Sequence, residues 1–242
     1  MAEHLLKNRM QAGIALAERL HAYAGHADAI VLALPRGGVP VGFGIAETLQ
    51  LPLDILPVRK IGVPGYEEFA MGAIASGGQR VFKPAVIAMF GIDQRVIDTV
   101  VQRELLELER RENLYRANRA LLQLEGRTVM LVDDGLATGC TMLAAIAAVR
   151  EQHPARVIVA VPVGAQDTCA KLRTEADELV CLKTPELFHS VSLWYDDFTQ
   201  VTDDEVKSLL GRADRRALAQ KADSGGIVMQ ERKNNDRTHP FR

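Results

Sequence analysis

The sequence predicts an α/β protein built on a doubly wound parallel sheet, and three observations carry that expectation. Short apolar runs rich in Val, Ile and Leu recur at residues 29–34, 53–58, 129–132, 156–162 and 178–182, with the length and composition of buried strands. Helical patterns lie between most of them, and strands alternating with helices are joined by crossovers into parallel sheets. The chain has 242 residues, 48% of them hydrophobic, enough to bury such a core as one large domain or one domain with additions.

From the start, Met1–Lys7 lacks the charged-then-apolar order of a secretory signal. Asn8–Tyr23 reads as an amphipathic helix with Met10, Ile14, Leu16, Ala17 and Leu20 inward, covering the sheet. The first strand, 29–34, runs into Pro35-Arg36-Gly37-Gly38, and a helix follows over Val39–Leu49. At this loop Gly37 and Gly38 allow backbone N–H groups to face an anion, and Arg36 complements its charge.

Leu53–Val58 is the next strand, with Arg59-Lys60 at its end. Ligands of an open parallel sheet sit at the carboxyl ends of strands, so Arg36, Arg59-Lys60 and Asp133-Asp134 are expected around one cleft. Residues 62–91 are Gly-rich and loosely patterned, as in a functional loop or an insertion. Within them Gly72–Ala75 and Arg80–Phe82 are expected to pair as a hairpin through 76–79. Asp93 caps a long helix running to about Ala120, with Val96, Val100, Leu105 and Leu108 on one side, suited to structure or an oligomer surface.

The centre of the chain is Val129-Met130-Leu131-Val132-Asp133-Asp134-Gly135-Leu136-Ala137-Thr138-Gly139-Cys140-Thr141. A buried strand leads into two carboxylates, then a turn that opens the helix carrying Leu143–Val149. The helix start offers unpaired N–H donors and the positive end of the dipole, Gly lets the backbone approach, and Thr hydroxyls add donors. Such a turn suits a phosphate. The carboxylates would repel that phosphate, so sugar hydroxyls and Mg²⁺ are their natural partners.

At these residues the chain resembles the type I phosphoribosyltransferases, through the signature of four apolar residues, Asp-Asp, three residues, Thr-Gly, any residue, Thr. The resemblance spans roughly Ile30 to Asp197. It implies transfer of the 5-phosphoribosyl group from 5-phosphoribosyl-1-pyrophosphate (PRPP) to a nitrogen acceptor, a nucleobase in this reading, with release of pyrophosphate. It also implies Mg²⁺ as cofactor. Asp133 and Asp134 would hold the ribose hydroxyls and, directly or through water, the metal. Ala137, Thr138, Gly139, Cys140 and Thr141 would hold the 5′-phosphate. Arg36, Gly37, Gly38 and Arg59 would hold the pyrophosphate, in a loop whose first peptide is often cis, and Lys60 would join the catalytic set. Residues 62–91 would be the flexible lid that keeps water from the reacting centre.

Strands at Arg156–Pro162 and Glu178–Leu182 and a short helix at Asp167–Thr174 complete the core, about 29–183. Beyond it, residues 184–200 gather aromatics and read as the family's hood over the acceptor. Trp194, Tyr195 and Phe198 are candidates for stacking, and Asp196 and Asp197 for hydrogen bonding. Asp203–Leu210 is a short capped helix. Residues 1–212 thus form the phosphoribosyltransferase-like domain, and 213–242 a polar, mobile tail interrupted by Ser224-Gly225-Gly226, with Ile227-Val228-Met229 able to dock.

Composition narrows the partners. A formal charge of −2, with no basic stripe, argues against nucleic acid as main partner. No apolar run reaches membrane-spanning length. Three cysteines, Cys140, Cys169 and Cys181, fit a reducing cytoplasm, and Cys140 sits at the variable position of the turn. A homodimer is compatible with the long helix. Two further functions fit the same residues: a regulator that binds PRPP without catalysis, and a phosphosugar hydrolase with water as acceptor.

Overall fold

The computed structural model describes residues 5–76, 78, 80–116 and 123–235, without the side chains of Glu67, Glu68, Arg116 and 220–235. In chain order the elements are α1 (Arg9–Arg19), β1 (Ala29–Ala33), α2 (Gly38–Leu49), β2 (Leu53–Ile55), β3 (Val58–Val63), β4 (Tyr66–Ala75) and β5 (Arg80–Phe82). Then come α3 (Pro84–Phe90), α4 (Gln94–Arg116), β6 (Thr128–Val132), α5 (Cys140–Arg150), β7 (Arg156–Val163), α6 (Gln166–Leu172), β8 (Glu178–Lys183) and α7 (Asp203–Asn235).

Five strands form one parallel sheet in the order β2-β1-β6-β7-β8. Alternate residues of its strands feed two cores. Val31, Ala33, Met130, Val132 and Ile158 face α1, α2 and α7, where Leu16, Val41, Ile45, Val206 and Leu210 close the layer. Ile30, Leu32, Leu131, Val157 and Val159 face α5 and α6, against Met142, Ile146, Val149 and Leu172. Burial on both sides explains why these strands read as continuous apolar runs, and the doubly wound class expected from the sequence is what forms.

The second strand differs from expectation. β2 ends at Ile55, Leu56 still donates to the Ala33 carbonyl at 2.9 Å, and beyond Pro57 the chain enters a second, antiparallel sheet, β3-β4-β5. Proline has no N–H to continue the ladder, so the apolar run 53–58 divides there. Arg59 and Lys60 consequently lie inside β3 and not at the end of β2. The hairpin expected between 72–75 and 80–82 forms, with Gly72 opposite Phe82 and Ile74 opposite Arg80; Gly77 and Gln79 of its turn lie outside the described residues. The larger part of 62–91 is therefore sheet and helix instead of irregular loop. Ile61, Val63, Met71 and Ile74 pack against Ile97, Val100, Val101 and Leu108 of α4.

Helix faces differ from expectation in two places. On α1 the buried residues include Ala12, Gly13, Leu16 and Ala17, while Ile14 is exposed. The backbones of α1 and α2 touch at Gly13, where a Cβ would overlap the Val41 carbonyl, and this close crossing turns Ile14 outward. On α4, Val96 is exposed and Ile97 and Val101 point inward; Asp93 caps it as expected, its Oδ1 accepting from Arg95 N–H at 2.8 Å. The predicted extension to Ala120 falls outside the described residues.

α7 does not stop near Leu210. It runs unbroken to Asn235 through Ser224-Gly225-Gly226, because a glycine inside a helix costs only ~1 kcal/mol relative to alanine and does not block the ladder. Its first turns are held by Val206, Leu209, Leu210 and Ala213 in the core. The expected docking of Ile227–Met229 concerns side chains outside the described set. No helix among the described residues is long and apolar enough to cross a membrane.

Candidate active site

The order of the parallel sheet places a crevice. The order in which successive strands are added reverses between the parallel neighbours β1 and β6, and loops leaving the carboxyl ends of such neighbours diverge to opposite faces. Those two loops are residues 34–38 and 133–139. They touch closely: Leu34 N–H donates to the Val132 carbonyl at 2.8 Å, a Cβ on Gly38 would lie 3.0 Å from Asp133 Cα, and a Cβ on Gly37 would overlap the Asp134 carboxylate. Close backbone approach thus requires glycine at position 38, and a side chain at position 37 would have to displace the Asp134 carboxylate that Arg9 holds. The Pro35–Arg36 peptide is cis, as the resemblance implied for the first peptide of this loop.

The downstream turn is held from behind. Leu136 N–H donates to the Val163 carbonyl and its own carbonyl accepts from Ala165 N–H, each at 2.9 Å. Thr168 Oγ1 donates to the Ala137 carbonyl at 2.7 Å, and its methyl lies against Gly139. Gly139 adopts φ +68° at the start of α5, a conformation that favours glycine. The first-turn N–H groups of α5, from Cys140 to Met142, have no helical partner, and Ala137, Thr138 and Thr141 are exposed. Such a concave, donor-lined helix start can take an oxyanion. Cys140 is half-buried at the seam between this turn and the small sheet, near Ala73 and Val81.

The two carboxylates are held differently. Asp133 is half-buried and accepts the Asp134 N–H on Oδ1 at 2.9 Å; burial and the neighbouring Asp134 charge hold its pKa well above the usual carboxylate value. Asp134 Oδ2 accepts from Arg9 Nε at 2.8 Å. Arg9 also donates from Nη1 to the Thr199 carbonyl at 2.9 Å, and its guanidinium lies 3.7 Å from the Phe198 ring centroid. Tyr195 donates its hydroxyl to the Asp134 carbonyl at 2.7 Å, and burial first, then the Asp134 charge, pushes its pKa far up.

The cations expected around the cleft part company. Arg36 sits on the glycine loop and reaches the start of α7, with Nη1 3.6 Å from Asp203 Oδ1, at the edge of a cavity of about 470 Å³ shared with Gln200, Thr202 and Lys207. Arg59 points to α4, where Nη2 meets Glu104 Oε2 at 2.7 Å, and the Glu104 side chain is 8% exposed. Lys60 is opposite Ala73 in the ladder, and cross-strand partners share a face. Ala73 meets α5 beside Cys140 and Leu143, so Lys60 lies on the α5 side of the sheet and Arg59 on the other.

In the hood, Tyr195 is 5% exposed and Phe198 packs 5.1 Å from it, closing a small core with Ala12, Val163 and Trp194. Backbone bonds zip this segment to the N-terminus: Leu6 N–H to the Trp194 carbonyl at 2.9 Å and Asp196 N–H to the Leu6 carbonyl at 2.8 Å. Asp196 and Asp197 are exposed. Asp197 accepts from Thr199 N–H and Oγ1, which hold its pKa below the usual value, and it lines a cavity of about 210 Å³ with Asn8, Arg9, Thr199 and Gln200.

Sequence reasoning missed Arg9 and Thr168. For Arg9 a signal existed: a cation in the first turn of a helix opposes the dipole, and α1 has no acidic residue there to relieve it. Thr168 carried none, since it stands on a short helix far along the chain from Ala137.

Residues 1–197 match the family described as the phosphoribosyl transferase domain. Two Mycobacterium tuberculosis proteins, Rv0571c from strain H37Rv and MT0597 from strain CDC 1551, both named provisionally as phosphoribosyl transferases, are each 46% identical to the chain over 211 residues. Those residues are 87% of this chain and 47% of each relative, so the chain spans about half the length of the curated relatives it matches. The crystal structure of TT1426 from Thermus thermophilus is 40% identical and superposes with a TM-score of 0.79, covering 86% of this chain and 98% of that one.

Proposed function

The chain belongs to the phosphoribosyl transferase domain family, and from that premise we propose that it transfers the 5-phosphoribosyl group of PRPP to a nitrogen of a nucleobase-like acceptor, releasing pyrophosphate. The observation that carries this reading is the contact between the two loops: Gly37 and Gly38 abut Asp133 and Asp134. A glycine anion loop, an acidic pair and a phosphate turn are thereby lined up along one crevice. The ligand that matches such an order has a phosphate at one end, a diol in the middle and further phosphates at the other.

In this reading the N–H groups from Ala137 to Thr141 hold the 5′-phosphate, Asp133 accepts from the ribose hydroxyls, and the loop at Arg36, Gly37 and Gly38 holds the pyrophosphate. Lys60, on the α5 side of β3, adds a cation to the catalytic set. Catalysis rests on fixed position and on charge placed where the leaving group develops its own. Residues 62–91 serve as the lid that excludes water from the reacting centre. The acceptor lies at the hood end, where Asp197, Thr199 and Gln200 line the cavity beside Arg9.

Among the described residues no three His, Cys, Asp or Glu side chains form a metal cage. Mg²⁺ commonly uses one or two carboxylates and completes its shell with phosphates and water, so Asp133 fits an ion that arrives with the donor. Bound there, it would neutralise charge on the departing pyrophosphate. A reducing cytoplasm and a place in nucleotide metabolism are consistent with the three free cysteines and the proposed substrates.

The test is pyrophosphate release from PRPP and Mg²⁺, alone and with a panel of purine and pyrimidine bases. Base-dependent release is expected. Release without a base would replace the transferase by a hydrolase, and donor binding by calorimetry without release would favour a regulator.

A further inference from the structure

The acidic pair looks symmetrical in sequence and is not so in space. Arg9 is 9% exposed and is fixed three times over, by Asp134 at 2.8 Å, by the Thr199 carbonyl at 2.9 Å and by the face of Phe198 at 3.7 Å. A guanidinium this buried needs a counter-charge, and taking that partner away leaves a stranded cation. Asp134 is itself enclosed, with Gly37 against its carboxylate and Tyr195 on its carbonyl. Asp133 has no such cation bound to it; among the described residues the contact shown for its carboxylate is the Asp134 N–H.

We infer that Asp134 is reserved as the counter-ion of Arg9, and that Asp133 alone of the pair meets the ligand. Arg9 is then a positioning residue. It neutralises one carboxylate and ties the hood and the N-terminal helix to the catalytic loop. A single carboxylate binds free Mg²⁺ weakly, so the ion enters with the donor instead of ahead of it. The identity of the donor rests on the transferase reading above; the withholding of Asp134 does not.

The test therefore omits the donor. Wild type, Arg9→Gln and Arg9→Gln/Asp134→Asn are melted with and without magnesium chloride. Arg9→Gln frees a second carboxylate beside Asp133, and its melting temperature is expected to rise by about 3 °C once Mg²⁺ exceeds its dissociation constant fivefold. Wild type and the double variant should stay unchanged. An equal rise in wild type and Arg9→Gln, or none in either, would overturn the inference.

A second readout needs no folded variant of that kind. The Arg9 Nε–H resonance of wild type, assigned through its proximity to the Phe198 ring protons, should keep its position through a Mg²⁺ titration; its shift or disappearance would show that the ion takes Asp134 from Arg9. PRPP calorimetry on wild type, run separately, reports on the transferase reading, so the two can fail independently.

Discussion

Gly37 lies with its backbone against the carboxylate of Asp134, so close that a methyl group on Gly37 would overlap Oδ2. Two loops far apart in sequence thereby share one surface, and neither can be altered without the other.

Gly37→Ala should therefore destabilise the protein by about 1–3 kcal/mol, the usual range for overpacking a closed site, and weaken donor binding. Urea denaturation and calorimetry check both. Gly211→Ala in α7 is the control: the nearest atom to its new Cβ is 3.6 Å away, and alanine in a helix interior is expected to gain ~0.5–1 kcal/mol over glycine. A Gly37→Ala protein as stable as wild type would show that the loops separate freely.

The two carboxylates should respond differently to the same substitution. Asp134→Asn leaves Arg9 without its counter-charge, and because the pair is largely buried, at 10% and 17% exposure, a loss of about 3 kcal/mol is expected. Asp133→Asn has no such cation to strand and should keep its melting temperature while losing donor turnover at least tenfold, about 1.4 kcal/mol in the barrier. Identical behaviour of the two variants in both assays would refute the division of labour.

Arg59 and Lys60, adjacent in sequence, are expected to separate in the same way. Arg59→Gln removes the 2.7 Å partner of Glu104, which keeps Arg103 at 3.1 Å, and should lower stability by about 1 kcal/mol with donor affinity unchanged. Lys60→Ala should raise the KM for donor or lower turnover with little effect on the melt. Loss of donor affinity in Arg59→Gln would return that residue to the pyrophosphate site.

At high pH the contact between α4 and α7 should weaken. Burial, and next the hydrogen bond to Asp203, push the Tyr115 hydroxyl up to about 12 from its ordinary value of 10.0. The folded state thus keeps the neutral phenol where the unfolded chain ionises, so the contribution is complete below pH 10 and is lost progressively between about 10 and 12. Tyr115→Phe should flatten that part of the stability profile, measured by denaturant midpoint against pH. An unchanged alkaline slope would mean that other groups control it.

Much of the parallel core was legible because both faces of each strand are buried, which forces continuous apolar runs such as Val129–Val132. The glycine loop and the turn before α5 were legible for a related reason: the Asp134 carboxylate at Gly37, the Val132 carbonyl at Gly38 and the positive φ of Gly139 leave little room for a side chain. The second sheet was harder. Apolar content alone could not show that Pro57 divides one run between two sheets, nor that Arg59 and Lys60 face opposite ways until β3 was paired. The hood was read for its aromatic chemistry, whereas Tyr195 and Phe198 are drawn into a small core by the N-terminal segment.

By itself the sequence determined the doubly wound class, the strand-end position of Asp133 and Asp134, and the turn suited to an anion, because each depends on local pattern and on residues adjacent in the chain. Only the tertiary structure decided which of the two carboxylates takes the ion pair with Arg9. That choice depends on Arg9, brought from the first helix and buried against Phe198, where a guanidinium withdrawn from water must take its counter-charge from whatever carboxylate lies within reach.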